Sequence, residues 1–199
     1  MTCIVGIIDG TDVWLGGDRA SADADQWTQH PGATPKVLRF NLDNNTPALI
    51  GYTSSFRMAD ILWHCIREGA FSEAWERLDP IDHADVRMWI VGELIPVLQS
   101  RYGSAGFQRT REDVRKGGTF LFGLQGRLFL IQDDYAVIES AFGYQAVGCG
   151  EKTALGSLHT TRRMQMDPVA RLNAALAACM DHLAYVLPPF DFVTTGDAK

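Results

Sequence analysis

Only four cysteines occur in 199 residues, and no two of them form a CxxC pair. That leaves no CxxC metal or redox motif. Cys65 and Cys179 fall at apolar positions of helical segments and read as buried reduced thiols, which points to a reducing, cytoplasmic compartment. The five histidines include no pair at i,i+3 or i,i+4 spacing, so no metal site is expected. No Lys/Arg run occurs, and 24 acidic against 18 basic residues leave a net charge of −6, the wrong sign for a nucleic-acid footprint. Long apolar runs are missing as well. The first one, Cys3 to Ile8, is broken by Asp9 and has no basic leader, too short for a signal peptide or a membrane span. No GxxxxGK loop followed by Ser or Thr occurs, so any ATPase is a separate chain, and no cofactor is expected.

What is present is a soluble globular composition, 46% hydrophobic and 21% charged. The length suits one domain, residues 1–199, with a sizeable core. Cys3–Ile8 reads as a strand turning at Asp9-Gly10 into a second, Val13–Gly17. A polar, irregular stretch from Asp18 to Thr34 follows. Lys36–Asn41 and Ala48–Tyr52 form a second strand pair. Ser54 or Ser55 caps a helix over Phe56–Arg67. A further helix starts near Asp82 or Asp85, its apolar face set by Val86, Trp89, Ile90, Leu94, Val97 and Leu98, and Pro96 is expected to kink or end it. Residues 103–117 read as an exposed loop.

Strands return with GTFLFGL, RLFLI, YAVIES and YQAVG. A helix begins near Glu151. Another is capped by Asp167 with Pro168 at its first position, and buries Val169, Leu172, Leu176, Cys179 and Leu183. FDFVT supplies a last strand. Strands joined by tight turns imply antiparallel pairing. The expected class is α+β: a four-layer αββα sandwich of two antiparallel sheets, each flanked by a helix pair.

Thr2 is the first chemical candidate. A threonine hydroxyl is a poor nucleophile until a base takes its proton. When Thr is the terminal residue its own α-amine, with a pKa of about 7.7–8.0, serves as that base. Thr is small enough to favour removal of Met1. The hairpin turning near Gly10 brings Asp18 beside Thr2, and Lys36 at the start of the third strand can reach both. A buried Lys paired with Asp holds positive charge near the Thr oxygen and favours its deprotonation.

MTCIVGIIDG, VWLGGDRAS and KVLRF together resemble the opening of proteasome β-type subunits and their bacterial peptidase relatives, the threonine N-terminal-nucleophile hydrolases. IGYTSSFRMADIL is similar to that family's oxyanion loop and first helix, and YQAVGCGEKTALGSL to its glycine-serine-glycine turn and following helix. The resemblance implies Thr2 as nucleophile, Asp18 as the acid and Lys36 as the lysine. It places the oxyanion-binding amide on Thr53 or Ser54, where the family carries glycine. It places the amine-binding serine on Cys149, the later acidic residue of that group on Asp181, and the residue bonding an extended peptide on Ser21. It further implies a peptide or unfolded-protein substrate and a homo-oligomeric ring, served by a separate ATP-dependent unfoldase.

Two alternatives stand beside it. Glutamine-amide-transfer domains begin at cysteine, and a nucleophilic Cys3 would require loss of both Met1 and Thr2. A ring component that kept the fold and lost activity is the other.

Overall fold

Alternation along β1 (Cys3–Asp9) divides its side chains between two cores. Cys3, Val5 and Ile7 join one apolar cluster, and Ile4 and Ile8 join another, as the two-residue period of a strand buried on both faces requires. β1 turns through Gly10 and Thr11 into β2 (Asp12–Asp18). The turn thus lies one residue beyond the expected Asp9-Gly10, and Gly10 takes the positive φ of 61°. Residues 2–23, 28–32, 34–76, 85–107, 109–111 and 114–197 are described in a computed structural model. Met1 and the alternative helix start at Asp82 lie outside them.

Two antiparallel sheets form the centre. One has the order β12-β1-β2-β13, with β12 at Tyr144–Gly148 and β13 at Phe190–Thr194. The other has the order β11-β10-β9-β6-β5. Its members are β5 (Val37–Asn41), β6 (Pro47–Tyr52), β9 (Phe120–Leu124), β10 (Arg127–Ile131) and β11 (Val137–Glu139). Ile4, Leu15, Val37, Leu49, Leu121 and Leu128 pack the sheets face to face.

On the outer face of the second sheet lie α1 (Phe56–Arg67), α2 (Ala70–Glu76) and the run from α3 (Val86–Trp89) to α4 (Ile95–Ser104). α5 (Glu151–Thr161) and α6 (Pro168–His182) cover the first sheet. The result is the expected αββα layering.

Several sequence expectations need revision. The polar stretch after Asp18 holds a hairpin, β3 (Ala20–Asp23) with β4 (Thr28–Pro31), whose polar alternation masks it. The loop at 103–117 is in part the end of α4 and a short hairpin, β7 (Arg109–Arg111) with β8 (Val114–Lys116). α2 was not expected. Its seven residues are too few for a periodic signal, yet Phe71 and Trp75 are buried in the core. Pro96 does not end its helix: a π turn at Ile90–Leu94 precedes it and the helix runs on to Ser104. Widening the turn upstream accommodates a ring that lacks the N–H for the ordinary ladder. Leu183 lies just past α6 and is half-buried.

Candidate active site

The residues singled out in the sequence come from the ends of separate elements. Thr2 precedes β1, Asp18 closes β2, Ser21 belongs to β3, Lys36 precedes β5, and Thr53 and Ser54 follow β6. Pairing of β1 with β2 sets Ile4 opposite Gly17, which carries Asp18 to the level of Thr2 and Cys3. Asp18 is completely buried and accepts from the Cys3 amide at 2.8 Å and the Ala20 amide at 3.0 Å. Lys36, 2% exposed, donates from Nζ to Asp18 Oδ2 at 2.8 Å and to the Ala20 carbonyl at 2.5 Å. An ammonium has three donors, and the third meets no protein acceptor among the described residues. Burial pushes the Asp18 carboxyl up and the Lys36 ammonium down, while their pairing opposes both shifts.

Thr2, Ser21, Lys36 and Ser54 line one cleft of about 90 Å³. Tyr52 and Phe56 supply its apolar wall, their rings 6.5 Å apart and edge-on. The Lys36 ammonium stands 5.7 Å from the centre of the Phe56 ring, within cation–π range. A second groove of about 550 Å³ lies against it, with Ser54 and Ser55 as the shared wall and Phe107, Lys116 and Asp133 beyond.

Thr53 and Ser54 were alternatives for the amide that binds an oxyanion, and their hydrogen bonds separate them. The Thr53 amide donates to the Thr119 carbonyl at 3.1 Å. The Ser54 amide has no partner among the described residues, and Ser54 holds left-handed backbone, φ 81°. That conformation favours glycine, and here a serine bears it.

Behind Thr2 the end of β12 presses close. The Thr2 carbonyl accepts from the Cys149 amide at 2.9 Å and from Cys149 Sγ at 3.3 Å. Gly148, φ 98°, is needed for that approach because a Cβ there would strike the Thr2 carbonyl oxygen. Cys149 is exposed. Asp181 is exposed near the end of α6 and does not line the cleft.

Cys3 faces the other way. Its Sγ is fully buried, 3.6 Å from Cys179 Sγ, and the Cys179 hydrogen bond and burial drive its thiol pKa far up. Burial there disfavours the thiolate that a thioester would need. The Ala20 carbonyl, Tyr52 and Phe56 join the site without a signal in the sequence. A backbone acceptor has no residue signature, and the two rings read as ordinary core and helix-start residues. Among the described residues no group of His, Cys, Asp and Glu is arranged to hold a metal ion, and no helix is long and apolar enough to cross a membrane.

No family model matches the chain, and no curated protein matches it in sequence. Solved structures do resemble it. A Thiobacillus denitrificans protein, BPH, determined in complex with epoxomicin, superposes with a TM-score of 0.67 at 14% identity, covering 97% of this chain and 97% of its own. HslV from Trypanosoma brucei gives a TM-score of 0.62 at 16% identity over 97% of this chain and 98% of its own. Anbu, described as an ancestral beta-subunit, from Yersinia bercovieri gives 0.67 at 12% identity over 97% of this chain and 80% of its own. All three are N-terminal-nucleophile subunits of the proteasome type. At these identities the likeness is one of fold, and the chain has the proteasome-type fold.

Proposed function

We propose that the protein is a threonine-type peptidase that hydrolyses peptide bonds through Thr2, exposed as the terminal residue by cleavage of the Met1–Thr2 bond. The observation that carries this reading is the buried Lys36–Asp18 pair opening onto the cleft that Thr2 lines. In the reaction the Thr2 amine takes the hydroxyl proton, through one water, as Oγ forms a bond to the substrate carbonyl carbon. The carbonyl π electrons move to oxygen, and the Ser54 amide binds that oxyanion. The Lys36 ammonium, held by Asp18 and the Ala20 carbonyl, stabilises the negative charge developing on Oγ. Collapse of the tetrahedral adduct expels the leaving amine, which receives the proton from the Thr2 ammonium. Water then hydrolyses the ester by the same steps and restores the hydroxyl.

Cys149 holds the Thr2 carbonyl, and Ser21, on the cleft wall, bonds an extended substrate backbone in this reading. Asp181, exposed near the end of α6, takes no part in these steps. The fold likeness supports a homo-oligomeric ring as the assembly; the proposal adds a separate ATP-driven unfoldase that feeds it and a cytoplasmic setting.

Intact mass tests the first condition: a chain lighter by one methionine is expected, and retained Met1 would rule out this mechanism for the preparation. Peptide hydrolysis by the processed protein is expected to vanish in Thr2→Ala and to fall by at least about 100-fold in Lys36→Ala. Unchanged hydrolysis in Thr2→Ala would end the assignment. A processed protein inactive on every peptide would favour the second reading, a ring subunit without activity, for which serine rather than glycine at the left-handed position 54 speaks.

A further inference from the structure

We propose that the Thr2 cleft admits only a small residue, of the size of glycine, alanine or serine, on the acyl side of the scissile bond, and that Phe56 sets this limit. The inference rests on Thr2 as the nucleophile. Once Oγ has bonded to the carbonyl carbon, the side chain of that residue begins two bonds away, at its Cβ. It has to lie in the cleft that Thr2 itself lines. That cleft measures about 90 Å³, against about 550 Å³ for the groove beside it. Pockets that enclose whole small molecules run to about 300–1,000 Å³.

The limit has identifiable walls. Tyr52 is 2% exposed, and its hydroxyl donates to the Pro35 carbonyl at 3.3 Å, which fixes the ring. Phe56, the first residue of α1, stands edge-on to Tyr52 and is held over the cleft by the Lys36 ammonium 5.7 Å from its centre. A leucine or phenylalanine side chain in the same place would have to displace the Phe56 ring and break its contact with Lys36. The larger groove offers no escape. Its boundary with the cleft is Ser54 and Ser55, so a longer side chain would have to pass that wall to reach it. Size selection at this position is therefore coupled to the charge that activates Thr2.

The test uses the processed full chain and a set of fluorogenic peptide amides that differ only in the residue before the scissile bond. Alanine is expected to be cleaved with kcat/KM at least about 10-fold above leucine and phenylalanine, since excess methylenes in a tight pocket discriminate by about 10–200-fold. Phe56→Ala is expected to raise leucine relative to alanine by about 10-fold, and Phe56→Leu to give a smaller shift in the same direction. Equal or reversed preference in the parent protein, or an unchanged ratio in Phe56→Ala, overturns the proposal.

Where turnover is too slow to read, calorimetric binding of peptide boronic acids, whose boron accepts a hydroxyl oxygen, gives the same comparison. The alanine boronate is expected to bind at least about 10-fold tighter than the leucine one, and reversed order or no binding by either overturns the proposal. The two levels fail differently. Cleavage that depends on Thr2 yet ignores side-chain size removes only the size limit, whereas cleavage that survives Thr2→Ala removes the nucleophile.

Discussion

Lys36 and Asp18 are opposite charges buried almost completely, an arrangement whose desolvation penalty rivals its attraction. Breaking such a pair leaves one charge stranded, so Lys36→Met is expected to lower unfolding free energy by about 3–5 kcal/mol. The double variant Asp18→Asn/Lys36→Met is expected to recover part of that in urea denaturation, and none of the peptide hydrolysis. Recovery of activity with stability would reduce the pair to scaffolding. The pH dependence follows from the same burial. Hydrolysis is expected to rise through the terminal amine near about 7.7–8.0 and to fall as Lys36 loses its proton, below the ordinary lysine value of about 10.4.

With the folded lysine pKa lowered, the unfolded chain binds more protons between that value and the ordinary one, so stability rises with pH across that window. The raised Asp18 pKa acts oppositely: between the ordinary carboxylate value and the raised one the folded chain binds more protons, and stability falls as pH rises. A scan of Tm against pH in parent and double variant isolates both slopes. Gly148→Ala is a separate residue-scale expectation: the added methyl displaces the Thr2 carbonyl, and kcat/KM is expected to drop by about 100-fold, the order that misplacing a reacting group costs.

At the scale of elements, caps and alternation were the most readable features. Ser55 caps α1 by accepting from the Arg57 amide, and Asp167 caps α6 by accepting from the Ala170 amide. Asp167→Ala is expected to cost about 1 kcal/mol in chemical denaturation with kcat/KM unchanged, because Asp167 lies outside the cleft. The β1–β2 hairpin was legible to within a residue because both strands alternate between two apolar cores. The β3–β4 hairpin was not, since its polar residues give no apolar alternation to read. It nonetheless supplies the Ala20 carbonyl that holds Lys36. The π turn before Pro96 was hidden as well, because a widened turn has no residue pattern of its own.

At the scale of the molecule, two sheets packed face to face bring Thr2 and Asp18 from one sheet to Lys36, Thr53 and Ser54 at the ends of strands in the other. If the 22.0 kDa chain assembles as a homo-oligomeric ring, sedimentation velocity is expected to show a single species several times that mass. A persistent monomer across micromolar concentrations would rule the ring out. Isolated chains of the parent and of Thr2→Ala should assemble alike, since the cleft residues face substrate.

The amino-acid sequence by itself determined the αββα layering and the choice of Thr2, Asp18 and Lys36, because burial periodicity, caps and chemically active residue types are local properties written along the chain. Tertiary structure alone decided that the Ser54 amide rather than that of Thr53 is unpaired among the described residues, that Cys3 is turned into the core against Cys179, that Asp181 stays outside, and that Phe56 narrows the cleft. Each of these depends on hydrogen-bond partners and neighbours more than ten residues away in sequence or on opposite faces of a strand. Pairing of that kind is fixed only when the two sheets and their helices close around one another.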